Sequence, residues 1–223
     1  MSRGRGMGPD FTELRGRMVT EQLASRGIED ERVLAVMGSV PRESFVPESF
    51  RDSAYDDGAL PIGRGQTISQ PWIVAAICQA LELSGDEVVL EIGTGSGYSA
   101  AILASLARRV VTIEREPSLS RQAKTVIDAL GIENVEVVVA DGTLGWPAEA
   151  PYGGIAVHAG APEVPPPLLE QLADGAWLVV PVSSDGAEIL TRTRRDAGGA
   201  FETEELGPCR FVPLIGEAGY AEE

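Results

Sequence analysis

From residue 86 onward, apolar runs alternate with helix-like segments, and this alternation limits the possible folds more than any other feature of the chain. The apolar runs are rich in β-branched residues, as strands usually are; they are EVVLEIG, VVTIE, VEVVVAD, GGIAVHAG and AWLVVPV. Helical patterns separate them, in YSAAILASLARR, PSLSRQAKTVIDALG and PPPLLEQLADG. Strands that alternate with helices form a parallel sheet with right-handed crossovers. The chain is therefore predicted to adopt an α/β fold, with later strands in EILTRTRR and FETEELGPCRFVPLI.

The part of the chain before this alternation has a different pattern, and it divides the sequence into three regions. Residues 1–9 are predicted to be disordered. Residues 10–64 are predicted to form a helical and loop segment packed on the core, with Gly27 ending its first helix. Residues 65–223 are predicted to form the α/β core, and the stretch GRGQTISQP (63–71) is predicted to be a polar loop ahead of a buried helix.

Charge and composition exclude several classes of function. The formal net charge is −16 and the isoelectric point is near 4.5, so the surface repels phosphate backbones and nucleic-acid binding is not expected. No apolar run approaches the ~18 residues of a membrane span, and the opening residues lack the pattern of a secretory signal. The two cysteines have no nearby cysteine or histidine, and no metal site is predicted. We expect a cytoplasmic monomer.

The first strand of the core ends in a glycine loop, EIGTGSGY (91–98). In open α/β sheets, ligands bind outside the carboxyl ends of the strands, near the point where the strand order reverses. Gly93 permits the turn, and Gly95 and Gly97 are predicted to let a ligand approach the backbone closely. Tyr98 stands where a dinucleotide fingerprint requires its last glycine, and no P-loop lysine follows. The loop alone is weak evidence for any one ligand.

The next two strands add acidic residues at the same edge of the predicted sheet. Glu114 lies twenty-one residues after Gly93 (114 − 93), a spacing that suits a carboxylate accepting hydrogen bonds from both hydroxyls of a ribose. Asp141 and Gly142 end the third strand, where a carboxylate and a backbone N–H could bind an adenine edge. The set predicts an adenosine ligand without a pyrophosphate. The alternative is that Glu114 and Asp141 only cap the helices that follow.

Four motifs together resemble the protein-L-isoaspartate O-methyltransferase family: EIGTGSGY, TIER, DGTLGWP and GQTISQP. The resemblance covers nearly the whole chain, including RVLAVMGSVPRESFVPE and PCRFVPLIG. It implies a Rossmann-like, doubly wound class I methyltransferase core that binds S-adenosylmethionine. It also implies that the methyl acceptor is the free carboxylate of an isomerised aspartate in a damaged protein or peptide.

The resemblance implies a role for each motif. Ser69 is the implied catalytic residue, in a loop that closes over the donor and the peptide, and Ile68, Ser69 and Val212 are the implied contacts of the acceptor. The alternative for Ser69 is that it caps the helix beginning at Pro71. The implied S-adenosylmethionine contacts are Gln66, Thr67, Ile68, Glu91, Gly93, Thr94, Gly95, Ser96, Gly97, Glu114, Arg115, Asp141 and Gly142.

The chemistry of this reaction needs no general base. A carboxylate acceptor has an ordinary pKa near ~4 and is already ionised at pH 7, so the lone His158 is interpreted as structural. The predicted function is methylation of isoaspartyl residues, which starts repair through a succinimide. Three alternatives remain open: methylation of normal aspartate in one dedicated peptide, a nicotinamide-dependent oxidoreductase on the same core, and a non-catalytic adenosine-binding module.

Overall fold

The N-terminal region precedes the sheet and consists mainly of short helical segments. The computed structural model describes residues 9–184, 186–196 and 198–222, so most of the predicted disordered stretch, residues 1–8, lies outside the described residues. Helix α1 (Phe11–Arg17) continues into a π-helical stretch (Met18–Leu23), and helix α2 is Glu31–Met37. Three 3₁₀ segments lie at Ala24–Arg26, Arg42–Phe45 and Glu48–Ser53.

The boundaries of these helices follow from local side chains. Asp10 accepts a hydrogen bond from the Thr12 N–H at 3.0 Å, and Asp30 accepts one from the Arg32 N–H at 2.8 Å, so each carboxylate caps the helix that follows it. Gly27 ends the first helical run with φ +90°, as predicted.

The polar stretch at 63–71 is not a loop throughout, which corrects the sequence prediction. Strand β1 (Leu60–Gly63) pairs with strand β2 (Gln66–Ile68) in an antiparallel hairpin. The hairpin turns at Arg64 and Gly65, both with positive φ. Strand pairing overrides the glycine-rich composition, because the backbone groups of a three-residue strand can be satisfied by its neighbour. Helix α3 (Pro71–Ala80) follows after two residues.

The main sheet has seven strands in the order β5-β4-β3-β6-β7-β8-β9, and helices connect most of them. The strands are β3 (Val88–Ile92), β4 (Arg109–Glu114), β5 (Val135–Val139), β6 (Gly154–Val157), β7 (Trp177–Ser184), β8 (Ala187–Arg195) and β9 (Phe201–Cys209). The connecting helices are α4 (Tyr98–Leu106), α5 (Pro117–Ala129) and α6 (Pro166–Glu170), with 3₁₀ turns at Gly142–Leu144 and Pro147–Glu149. Strands β3 to β7 are parallel and the last two pairings are antiparallel, so the predicted mostly parallel sheet is confirmed.

Both faces of the sheet are buried, and successive strand residues face opposite sides. Val89 belongs to the apolar cluster that includes α3, α4 and the N-terminal residues Met18 and Met37. Leu90 belongs to the second cluster, on the other face. The N-terminal region therefore shares a core with the sheet. No helix in the described part of the chain is both long and apolar enough to cross a membrane.

The strand order reverses at β3, which positions the site. The chain runs outward from β3 through β4 to β5 and then returns to place β6 on the other side of β3. The carboxyl ends of three strands lie side by side, since Ile92 pairs with Ile113, the penultimate residue of β4, on one side and with Val157 on the other. A crevice is expected outside this edge.

Candidate active site

A cavity of about 830 Å³ opens at the carboxyl ends of β3 and β4, at the predicted reversal of strand order. Its volume lies within the range of small-molecule sites, roughly 300–1,000 Å³. One part of the lining comes from β2 and the start of α3, and a second part from residues 208–215. The cavity therefore has a floor of strand ends and two walls from separate parts of the chain.

The loop after β3 holds its backbone open toward the cavity. The Gly93 N–H donates to the Ile113 carbonyl at 2.9 Å, and Gly93 has φ +92°, which turns the chain sharply after the strand. Gly95 has φ +52°, and its N–H donates to Glu114 Oε2 at 2.9 Å. A side chain at either position would require a conformation that L residues rarely adopt.

Glu114 lies at the end of β4 and retains capacity to bind a ligand. It is 6% exposed, its Oε1 accepts the Glu116 N–H at 3.0 Å, and its Oε2 accepts the Gly95 N–H. A carboxylate offers about four lone-pair positions. Acceptor positions therefore remain that suit the two hydroxyls of a ribose. The cap residue of α5 is Glu116, not Glu114.

Glu91 lies behind the cavity and does not line it. Its side chain is fully buried, and Glu91 Oε2 accepts the Thr112 hydroxyl at 2.5 Å. The Thr112 oxygen is 2.6 Å from the Thr94 hydroxyl, which belongs to the glycine loop. The predicted direct contact of Glu91 with the cofactor is not supported by this geometry. Glu91 instead holds the glycine loop through two threonines.

His158 belongs to the same buried group and was assigned only a structural role from the sequence. Its Nε2 lies 2.7 Å from the Ser99 hydroxyl and 3.4 Å from Glu91 Oε1, and its side chain is 6% exposed on the cavity wall. Burial lowers the pKa of His158 to about 4, and burial raises the pKa of Glu91 to about 7. The imidazole is therefore neutral near pH 7 and carries no charge into the cavity.

Gly97 has a packing role that differs from its predicted role. It is buried, has φ +87°, and precedes α4. A Cβ at this position would lie 3.1 Å from Ala123 Cβ and 3.2 Å from Ile127 Cδ1, both on α5. Glycine is needed here because α5 packs against this turn, and Gly97 does not line the cavity.

Asp141 does not line the main cavity but borders a second cavity, which shares Arg115 and Ile215 with the first. Its Oδ1 accepts the Thr143 N–H at 2.9 Å, and its Oδ2 accepts the Glu217 N–H at 2.8 Å. Partial burial acts to raise the pKa of Asp141, but the hydrogen bonds from Glu217 and Thr143 outweigh it and the pKa is lowered. The carboxylate borders a smaller cavity of about 380 Å³, whereas Gly142 lines the main one. Most of its acceptor capacity is used within the chain.

Ser69 lies on the hairpin side of the cavity, between β2 and α3. The residue that caps α3 is Gln70, whose side chain makes no capping hydrogen bond. The Gln70 amide instead donates to Asp57 Oδ1 at 2.6 Å, and Asp57 pairs with Arg26 at 2.9 Å. The alternative role of Ser69 as a helix cap is therefore wrong.

Val212 lines the same cavity, in the segment 208–215. Its carbonyl accepts the Gly160 N–H at 2.8 Å, and the Phe211 N–H donates to Glu188 Oε2 at 2.6 Å. These bonds fix the segment to the loop after β6 and to β8. Part of the cavity lining is therefore held in place by the sheet.

Comparisons with known proteins give the family. The family model described as protein-L-isoaspartate(D-aspartate) O-methyltransferase matches residues 15–219. This chain belongs to that family.

Individual members of this family are similar to this chain over most of its length. Protein-L-isoaspartate O-methyltransferase 2 of Marinobacter nauticus is 54% identical over 96% of this chain and 98% of its own. A solved protein-L-isoaspartate O-methyltransferase has a TM-score of 0.83 at 28% identity, covering 93% of this chain and 67% of that one. A putative member from Plasmodium falciparum, solved in complex with S-adenosyl-L-homocysteine, has a TM-score of 0.79 at 24% identity, covering 90% and 98%, and supports the fold.

The residues of this family member fit S-adenosylmethionine. The glycine backbone at 93–95 and the spare acceptor positions of Glu114 suit an aminoacyl chain and a ribose, and no basic phosphate-binding loop is needed. The structure brings twelve of the fifteen predicted site residues to the main cavity: Gln66, Thr67, Ile68, Ser69, Gly93, Thr94, Gly95, Ser96, Glu114, Arg115, Gly142 and Val212. Those it does not bring there are Glu91, Gly97 and Asp141.

Sequence reasoning missed several residues of the cavity wall. Trp72, Tyr98 and Ser99 line it, and all three lie in the first turns of helices whose apolar pattern pointed only to the core. Their proximity to the motifs GQTISQP and EIGTGSGY was the one available signal, since a helix that follows a ligand-binding loop presents its first turn to the ligand.

Proposed function

We propose that this protein transfers a methyl group from S-adenosylmethionine to the free carboxylate of L-isoaspartyl residues in damaged proteins and peptides. The observation that carries the proposal is the cavity itself, because one cavity is lined by Glu114, the glycine loop, Ser69 and the segment around Val212. Membership of the family supports the same reaction. The cavity joins a nucleoside site to an open peptide groove.

The chain's own residues position reactants and do not activate a nucleophile. When bound, S-adenosylmethionine supplies an electrophilic methyl group on a positively charged sulfonium sulfur. The sulfur is the leaving group and becomes a neutral thioether. The acceptor carboxylate is ionised near pH 7, and the neutral His158 neither withdraws nor supplies a charge there. Ser69 supplies a hydroxyl that orients a carboxylate without neutralising it. Orientation of this kind is worth up to roughly 7–11 kcal/mol.

Repair follows from the chemistry of the product. A methyl ester is a better acyl electrophile than a carboxylate, because the neighbouring backbone nitrogen can attack its carbonyl carbon and expel methanol. This closes a succinimide, and hydrolysis of the ring returns some normal aspartate. Because damaged sites occur in many sequences, the groove is proposed to bind backbone and one carboxylate. We propose further that the protein acts as a cytoplasmic monomer, in accord with its free thiols Cys78 and Cys209.

The test is a methyl-transfer assay with matched peptides. Labelled S-adenosylmethionine is offered with two peptides that differ only in isoaspartate or aspartate at one position, and we expect label on the isoaspartyl peptide alone. Label on the aspartyl peptide alone would favour a dedicated peptide-modifying enzyme, and no label on either would end the proposal. Ser69→Ala is expected to lower turnover while donor binding is largely kept, since Ser69 is proposed to orient the acceptor.

A further inference from the structure

Arg42 is a fully buried arginine that the proposed mechanism does not use. It lies in the 3₁₀ segment Arg42–Phe45 and is 0% exposed. Its Nε donates to the Ala54 carbonyl at 2.7 Å, and its Nη2 donates to the Ser69 carbonyl at 2.8 Å. One side chain from the N-terminal region therefore reaches the backbone of the proposed catalytic residue.

Burial of this guanidinium is costly and incompletely compensated. Among the described residues, no carboxylate forms a salt bridge with Arg42, and its Nη1 is buried without a hydrogen-bond partner. The Tyr98 ring lies 4.9 Å from the guanidinium carbon, which supplies a cation–π contact. A buried charge without an ionic partner generally lowers stability. The role of this side chain is therefore sought in the backbone groups that its hydrogen bonds hold in place.

The hydrogen bond from Arg42 to the Ser69 carbonyl is the contact that bears on function. Ser69 follows the last residue of β2 and precedes the cap of α3, so its neighbours belong to two elements of different direction. Gln70 is tied to Asp57 through its side chain, but the hydrogen bond to the Ser69 carbonyl is made by Arg42. The planar fork of an arginine holds two acceptors in one fixed geometry, which a lysine does not do.

We propose that Arg42 is a positioning residue for methyl transfer, fixing the backbone of Ser69 so that its hydroxyl faces the acceptor carboxylate. The inference rests on the proposed function. Arg42 does not line the cavity and acts through Ser69. The residue thus couples the N-terminal region to acceptor binding rather than to donor binding.

The test compares Arg42→Met with Arg42→Lys and with Arg32→Met. Arg32 is exposed but also donates to two carbonyls, those of Leu83 at 2.6 Å and Leu106 at 3.1 Å, away from the cavity, so Arg32→Met controls for the loss of two arginine–carbonyl hydrogen bonds. Arg42→Met is expected to lower kcat/KM for an isoaspartyl peptide by about 10–100-fold, as small misplacements of reacting groups do. Arg42→Lys should recover part of the loss in kcat/KM. The Kd of Arg42→Met for the donor should stay near the wild-type value, and so should the activity of Arg32→Met.

A double-mutant cycle separates positioning from general destabilisation. If Arg42 acts through Ser69, Arg42→Met should change the residual activity of Ser69→Ala by less than about twofold, because the hydroxyl that Arg42 is proposed to position is absent from Ser69→Ala. Amide hydrogen exchange at Ser69 and Gln70, next to the carbonyl that Arg42 binds, should accelerate in Arg42→Met and Arg42→Lys and not in Arg32→Met. A full effect of Arg42→Met in the Ser69→Ala background, or equal losses in Arg32→Met, would overturn the inference. An inactive wild-type protein would instead refute the proposed function.

Discussion

At the scale of single residues, Glu91 and His158 are two buried titratable groups whose neutral forms are favoured by burial. Burial raises the pKa of Glu91 to about 7 and lowers the pKa of His158 to about 4. Each group therefore favours its neutral form in the folded protein. Their contributions to stability change with pH in opposite directions. As pH rises, ionisation of Glu91 lowers the stability, whereas loss of the proton from the unfolded-state histidine raises it.

Glu91→Gln removes the titration of Glu91 and so isolates its contribution to the pH dependence of stability. The native carboxyl binds its proton more tightly than the unfolded one, so its stabilising contribution is complete below the unfolded pKa near 4.5 and is lost as pH rises to about 7. The free energy of unfolding of Glu91→Gln minus that of the wild type should therefore increase across this window, by about 3 kcal/mol. Urea denaturation at several pH values measures it. The exposed Glu163→Gln is the control, and a flat difference for Glu91→Gln would contradict the raised pKa.

At the scale of elements, the turn between β3 and α4 is fixed by helix packing as well as by ligand access. Gly97→Ala places a Cβ 3.1 Å from Ala123 Cβ at φ +87°, whereas Gly131→Ala at φ +68° meets nothing within 4 Å. Both substitutions carry the left-handed backbone cost, but only the first also overpacks α5. Gly97→Ala should therefore be more destabilising than Gly131→Ala by about 1–3 kcal/mol. The measurement is chemical denaturation of both variants, and equal losses would refute the packing role.

The elements also show what the sequence could predict. Apolar periodicity located every strand of the main sheet, and the motifs located the glycine loop, Glu114 and Ser69, because these depend on local pattern. The positions of Glu91 behind the cavity and of Asp141 beside a second one were not predictable, because the direction of a side chain near a strand end depends on partners distant in sequence, here Thr112 and Glu217. Arg42 was missed for the same reason, since its acceptor is 27 residues away along the chain.

At the scale of the whole molecule, the net charge of −16 opposes the approach of an anionic peptide. The cavity carries local positive charge against this field, but Arg26 is paired with Asp57 and Arg115 with Glu222. Long-range repulsion between like charges lowers association rates and is screened by salt. The field of the molecule should therefore bias the enzyme toward basic damaged segments without altering the chemistry at Ser69.

The bias can be measured with two isoaspartyl peptides that share the reactive site and differ in flanking glutamates or lysines. Raising the ionic strength from about 0.01 M to about 0.1 M shortens the Debye length from about 30 to about 10 Å. We expect kcat/KM to rise with salt for the acidic peptide and to fall for the basic one. Arg210→Gln, at the cavity rim, should shift both values while leaving the opposite slopes. A fall with salt for the acidic peptide that disappears in Arg210→Gln would show instead that one local arginine, rather than the field of the whole molecule, governs the encounter.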